Sequence, residues 1–322
     1  MTDLPTPTPE QVVAALAGAD ATTSYALIDR WERTRSGNVF YRLTTEPGGR
    51  EVVAKGGVDW SGSDAEAIFE AHSRLASTIS AASIADAGVL VPITWLSSPP
   101  LLVMPYVEGT DVITILRDAG RPEWGSMSAW MRATGAMLAT FHQANPADAT
   151  SSTEDRIADL IDACRRMRVG DDVVTGILER AQWRQRCAAA YEDFGPGNLI
   201  GVTGGPVYLI DPPVDPITAP VHRDLGNFVF ELRRQLAGHG YTRSEPVPGR
   251  FDGLRSSLLD GYSERAGDRL DADDEALIAL YEMRRAAGMA RKRLTQRPME
   301  ALWFARSARD RRREALASSQ PR

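Results

Sequence analysis

The spacing of apolar and polar positions changes character near residue 110. Before it, short runs alternate in the manner of half-buried strands: SYALIDRW (24–31), NVFYRLTT (38–45) and EVVAKGG (51–57). ERTRSG separates the first two. EPGGR (46–50) separates the next two, its proline fixing one φ and its glycines admitting positive ones. This predicts three antiparallel strands in a meander. Over 61–78 the period becomes helical, with Ala65, Ile68, Phe69, His72 and Leu75 on one face, and Ser63 and Glu66 at capping-box spacing. Two further runs, VLVPITWLS (89–97) and LLVMPYV (101–107), are joined by Ser-Pro-Pro and complete a five-stranded antiparallel sheet. At the start, VVAALAGA (11–18) predicts a short helix behind a Pro/Thr-rich segment, residues 1–10, expected to be a mobile tail.

Beyond Gly109 the pattern is mainly helical. Met127, Trp130, Met131, Met137, Leu138 and Phe141 form an apolar stripe over 127–143, and helical spacing returns at 154–168, 172–189, 224–237, 252–266 and 272–294. One stretch interrupts it. In YEDFGPGNLIGVTGGPVYLIDPP (191–213), two short apolar runs flank a Gly-Gly turn, which reads as a small hairpin between polar loops.

Composition narrows the class. The 322 residues are 43% hydrophobic and 25% charged, which excludes a disordered chain and suggests two domains or one large bilobal unit. The net charge of −6 argues against non-specific nucleic-acid binding. Residues 284–313 stand apart, with eleven basic against two acidic side chains, so the remainder carries −15. A nucleic-acid binder using this basic segment is therefore a weak reading. Two cysteines, Cys164 and Cys187, cannot build a disulfide framework, and MTDLPTPTPEQ has neither the basic nor the apolar part of a secretory signal. No apolar run approaches membrane-spanning length. A cytoplasmic protein with no membrane partner is expected; oligomeric state is not readable.

Candidate chemistry gathers at the hairpin. Asp193, Asn198 and Asp211 each sit in a loop beside a short strand, and two carboxylates with an amide oxygen are hard ligands suited to magnesium. Taken singly, a loop aspartate is usually a turn residue or a helix cap. Lys55 closes EVVAK, where strand propensity disfavours lysine. It reads either as a snorkelling edge lysine or as a phosphate contact that needs a carboxylate to hold it.

Taken together, these residues resemble the aminoglycoside phosphotransferase and choline kinase group of small-molecule kinases, over about residues 24–235. Lys55, Asp193, Asn198 and Asp211 follow in the order of that group's phosphate-contacting lysine, substrate-facing Asp, metal-binding Asn and metal-binding Asp. YEDFGPGN followed by LID is similar to its catalytic loop and metal strand, LLVMPYVEG (101–109) to its hinge, GAMLATFHQANP (135–146) to a helix ending in Leu-x-x-Leu-His, and HRDLGNF (222–228) to the segment with a structural Asp, here Asp224. Two departures stand out: Tyr191 replaces the usual His, and the nucleotide loop ERTRSGN has a single glycine, Gly37.

The resemblance implies an α+β, bilobal protein-kinase-like fold. Residues 1–107 would form the nucleotide-binding lobe and 108–322 the catalytic and substrate-binding lobe. It implies ATP- and magnesium-dependent transfer of the γ-phosphoryl group to a small-molecule hydroxyl, as on an amino sugar or an antibiotic. A kinase-like regulatory protein with little catalysis is the alternative. Lys55 would pair with a helix glutamate, Glu70 in preference to Glu66. Gly37 would lie at the nucleotide. Beside the base, Met104 would sit with the Pro105 carbonyl and the Val107 N–H, since proline lacks only the donor; the bland reading of Pro105 is a strand terminator. Candidate acceptor walls are Asp155, Asp159, Asp162, Tyr281, Glu282, Trp303 and Phe304: acidic residues suited to cationic acceptors, aromatic ones to sugars or nucleosides. Arg284, Arg285 and Arg291 read first as a solvated helix face, and otherwise as facing an acidic acceptor.

Overall fold

The structure, a computed structural model, describes residues 6–33, 37–57, 60–118, 120–237, 249–293 and 298–318. The chain forms two compact units. The first comprises Met1–Ala81, Gly88–Gly109 and Tyr208–Val214, the second Ala82–Ala87, Thr110–Val207 and Asp215–Arg322.

The first unit is built on the expected five-stranded antiparallel sheet. Its elements are α1 (Pro9–Ala19), β1 (Ser24–Arg33), β2 (Asn38–Glu46), β3 (Glu51–Gly57), α2 (Gly62–Ala81), β4 (Ala87–Val89, whose first residue belongs to the second unit), β5 (Thr94–Ser97) and β6 (Pro100–Pro105). The sheet order is β1-β2-β3-β6-β5. Alternation along β2 buries Val39, Tyr41 and Leu43, and these pack with Val52, Ala54, Leu101 and Val103 against Val12 and Leu16 of α1. The Pro/Thr-rich start is thus not all tail. Thr8 and Gln11 cap each other's backbone, Pro9 takes the first helical position, and Val12 and Leu16 bury one turn apart; residues 1–5 lie outside the described residues. The box that opens α2 is Ser61 with Asp64 (Ser61 N to Asp64 Oδ2 2.6 Å), two residues ahead of the predicted Ser63–Glu66 pair. The run expected as one strand over 89–97 is two, because Pro92 interrupts it and leaves Val91 and Ile93 51% and 43% exposed.

The second unit carries β7 (Thr110–Asp111), α3 (Val112–Arg117), α4 (Met127–Ala144), α5 (Ser151–Arg166), α6 (Asp171–Arg180), β8 (Cys187–Ala190), β9 (Leu199–Gly201), β10 (Val207–Leu209, whose last two residues belong to the first unit), β11 (Ile217–Pro220), α7 (His222–Leu236), α8 (Arg250–Ala266), α9 (Ala272–Arg293) and α10 (Pro298–Ser318). All six residues of the predicted stripe on α4 are buried. α4 pairs with α8, and α9 lies against α7 and α10. The pattern over 172–189 is not one helix. The helix α6 ends at Arg180, Gln182 takes a left-handed backbone (φ 48°), and Cys187–Ala190 becomes a strand paired antiparallel with Ile217–Pro220. Among the described residues, no helix is long and apolar enough to cross a membrane.

Candidate active site

Within the first unit, β3 carries Lys55 opposite Phe40 of β2 and Leu102 of β6. The side chain is buried, and its ammonium is salt-bridged to Asp211 Oδ1. The ring centroids of Trp60 and Phe40 lie 5.6 and 6.0 Å from Nζ. Asp211 follows Ile210 in a left-handed conformation (φ 57°), ahead of Pro212-Pro213. A non-glycine residue held there stores roughly 1–3 kcal/mol and persists only where its surroundings fix it.

The helix glutamate does not meet this lysine. Glu70 is exposed and pairs with Arg74 (3.4 Å); Glu66 is exposed as well. Both lie off the buried face of α2, which is formed by Ala65, Ala71, His72, Leu75, Ala76 and Ile79. The inward residue is His72. Fully buried, it stands near enough to Lys55 and Asp211 for both charges to act on it. Burial pushes its pKa down to about 4, partly opposed by Asp211. The ring is therefore neutral at pH 7. Nδ1–H donates to the Leu90 carbonyl (3.2 Å), and Nε2 is buried without a hydrogen-bond partner.

The hinge candidates occupy the end of β6. Met104 is buried opposite Val53, and Pro105 stands opposite Val52. Tyr106 N–H donates to Glu51 O (3.1 Å) on the β3 side, whereas Val103 O accepts from Ile93 N (2.7 Å) on the other. Strand alternation therefore turns the Pro105 carbonyl to the same side as that of Val103. Val107 follows, half-buried. Gly37 enters β2 with φ 65°; residues 34–36 of the nucleotide loop lie outside the described residues.

In the second unit the 191–198 loop is held from beneath. Asp224, fully buried on the first turn of α7, accepts from Tyr191 N (2.6 Å) and Glu192 N (3.2 Å). It meets His142 Nε2 at 3.2 Å, and His142 Nδ1 meets Tyr262 Oη at 3.0 Å. Glu192 is left-handed (φ 64°), so the chain reverses and Asp193 emerges exposed. Asn198 Nδ2 donates to Asp193 O (2.9 Å), which leaves Oδ1 as an acceptor. Tyr191, where the resembled group has histidine, is buried by edge-on packing against Phe141 (5.6 Å) and Phe194 (5.1 Å). Sequence reasoning named Asp224 and the helix of His142 but missed Tyr262, which lies in no motif.

Asp193 and Asn198 thus belong to the second unit, Lys55 and Asp211 to the first. The acceptor candidates divide differently. Asp155 and Asp159 are exposed on α5, as is Asp162, which pairs with Arg165. Tyr281 and Glu282 are each 2% exposed among the helices. Arg233 Nε donates to Glu282 Oε1 at 2.6 Å and Arg311 Nε lies at 3.7 Å, so Glu282 is neutralised inside the fold instead of lining an acidic wall. Phe304 packs on Phe230 (5.7 Å) in the core. The side chain of Trp303 lies outside the described residues. Among those residues, no three or more His, Cys, Asp or Glu side chains converge as a metal cage.

No protein-family model and no curated protein matches the chain. Solved structures do. A glucosamine kinase in complex with glucosamine, ADP and inorganic phosphate is 15% identical, with a TM-score of 0.58 over 96% of this chain and 86% of that one. A choline/ethanolamine kinase family protein from Mesorhizobium loti is 15% identical, with a TM-score of 0.56 over 96% and 98%. A putative fructosamine-3-kinase from Haemophilus somnus is 10% identical, with a TM-score of 0.53 over 94% and 97%. The fold is that of the protein-kinase-like small-molecule kinases.

Proposed function

We propose that this chain is an ATP- and magnesium-dependent phosphotransferase that moves the γ-phosphoryl group to a hydroxyl of a small molecule. The observation that carries the reading is the ion pair of buried Lys55 with the half-buried Asp211. A buried strand lysine near two aromatic rings, with the carboxylate of a left-handed residue as counter-ion, is costly to build and suits a site that receives phosphates and a cation. The ADP and phosphate bound by the glucosamine kinase neighbour favour the same nucleotide chemistry.

The donor set fits magnesium. Asp211 offers a carboxylate and Asn198 an amide oxygen; magnesium is commonly held by one or two such groups together with substrate phosphates. When bound, the ion supplies neutralisation of the charge on the phosphates. Lys55 orients the nucleotide's phosphates, and the Pro105 carbonyl with the Val107 N–H holds the base. Asp193, carried on a loop fixed by Asp224, aligns the acceptor hydroxyl and takes its proton late in the transfer.

The test is ADP release by the purified chain with Mg·ATP and a mixed panel of alcohols. Asp193→Ala is expected to keep nucleotide affinity and lose at least ~10²-fold in kcat; unchanged turnover would remove Asp193 from the mechanism. Asp211→Ala is expected to weaken Mg·ATP binding by calorimetry, and wild-type affinity there would contradict its role. One observation favours the alternative of a non-catalytic nucleotide binder, the exposed Glu70 paired with Arg74. The same assay separates the two, because a non-catalytic binder takes up Mg·ATP and releases no ADP.

A further inference from the structure

Three arginines on three helices of the second unit lie close enough for the charges of Arg223 and Arg156 to act on Arg284, and among the described residues two carboxylates pair with them. Arg223 is the second residue of α7, directly before the Asp224 that fixes the candidate catalytic loop. Its Nη2 donates to Glu192 Oε1 (3.2 Å), beside Asp193, while its Nη1 is buried with no hydrogen-bond partner. Arg284 of α9 has Asp159 Oδ2 at 4.0 Å. Arg156, one turn before Asp159 on α5, has a buried Nε without a partner. The two carboxylates that answer these cations are themselves open to water, Glu192 at 45% and Asp159 at 71% exposure, against 14% for Arg223 and 32% for Arg284.

The three are close enough to affect one another. Burial lowers the pKa of Arg284, and the charges of Arg223 and Arg156 lower it further. A second group points the same way. Tyr281, one turn before Arg284, is 2% exposed, and its hydroxyl is buried without a hydrogen-bond partner. Burial raises that phenol's pKa, while Arg223 and Arg284 pull it back, so the hydroxyl lies in their field. Partly buried like charges with unanswered N–H donors and an orphan hydroxyl are costly by themselves, and an oxyanion seated among them would offset that cost.

We infer that the hydroxyl-bearing substrate carries an anionic group, a carboxylate or a phosphate, gripped by Arg223, Arg284 and Arg156 with the Tyr281 hydroxyl. This rests on the phosphotransferase reading above and reverses the expectation of a cationic, amino-sugar acceptor, whose acidic wall is absent at Glu282. The reaction remains a simple exchange: the acceptor oxygen bonds to the γ-phosphorus, the bond to the ADP oxygen breaks, and the hydroxyl proton passes to Asp193.

The test pairs turnover with binding. ADP release is measured with hydroxy acids, with sugar phosphates, and with their neutral and amino counterparts. The anionic members are expected to show KM values at least ~10-fold lower than the others, with hydroxy acids and sugar phosphates separating the two anions. Arg284→Gln and Arg223→Gln are expected to raise KM for the anionic acceptors at least ~10-fold while shifting kcat little. Independently of nucleotide, inorganic phosphate and malonate are titrated by calorimetry. Wild type and Lys55→Met are expected to bind one of them, and Arg284→Gln to lose it. In the absence of anion, Arg284→Gln is expected to leave Tm unchanged or higher, because it removes repulsion; a purely structural arginine would lower it. ADP release confined to neutral or amino acceptors, with no anion bound, would overturn the inference and leave the phosphotransferase standing. Anion binding lost in Arg284→Gln, without ADP release from any acceptor, would sink the phosphotransferase and keep the anion site.

Discussion

Lys55 and His72 show how one side chain sets the properties of a unit. Lys55 is buried, so removing its counter-ion leaves an uncompensated charge, a change that costs about 3–5 kcal/mol in comparable settings. Asp211→Ala is therefore expected to lower the urea midpoint strongly. Adding Lys55→Met should restore most of the loss; a double variant as unstable as the single one would show that the pair is not what Asp211 stabilises. His72 acts through pH. Its folded pKa, about 4, lies below its ordinary 6.5. As pH falls through 6.5 the unfolded chain takes up a proton that the folded chain refuses. The stability in question is present above 6.5 and is lost between 6.5 and 4. His222, lowered by complete burial, adds to the loss in the same direction. Urea midpoints are expected to be flat near neutrality and to drop through this window, with a shallower drop in His72→Leu. The sequence contained the signal for His72. A helical stripe through Ala65, Ile68, Phe69, His72 and Leu75 points Glu66 and Glu70 away from it, and the resemblance overrode that periodicity.

At the scale of elements, the crossing of α4 and α8 is the tightest test of packing. A Cβ on Gly135 would sit 2.0 Å from Leu258 O, and one on Gly261 would sit 2.0 Å from Arg132 O. The two backbones touch where only glycine fits, and this same pair of helices supplies His142 and Tyr262 to the support of the 191–198 loop. Gly261→Ala is expected to destabilise by about 1–3 kcal/mol or more, read as a fall in Tm; an unchanged Tm would mean that the helices separate easily. Elements whose pattern is local were legible: the meander, the α4 stripe and the small hairpin. Cys187–Ala190 was not, because its alanines favour a helix and its strand exists only through Ile217–Pro220, far along the chain. The role of Glu282 was also hidden, since an acidic residue reads alike whether it faces a substrate or an arginine of a neighbouring helix.

Across the whole molecule, the basic end of the chain is woven into the fold. Arg311 lies by Glu282, Arg285 by Glu231 (3.7 Å) and Arg313 by Asp310 (3.3 Å), so part of the local excess is answered internally. α10 lies beyond the last helical pattern recognised in the sequence, although Ala301, Phe304 and Ala308, all buried, recur at three- and four-residue steps. Deleting residues 298–322 would uncover Phe230 and leave Glu282 with fewer cations. The truncated chain is expected to lose cooperative unfolding of the helical unit by circular dichroism; a sharp transition at the parent temperature would show that α10 is dispensable.

The route of the chain has one more effect, on synthesis. Residues 208–214 belong to the first unit although they are made long after its sheet. While the ribosome is still adding α3 to β9, the amine of Lys55 has no Asp211 to rest against, and its closing contact spans 156 positions. A nascent chain carrying only the N-terminal strands is expected to keep that amine in water, and so to wait, unfinished, for a short strand from the far side of translation.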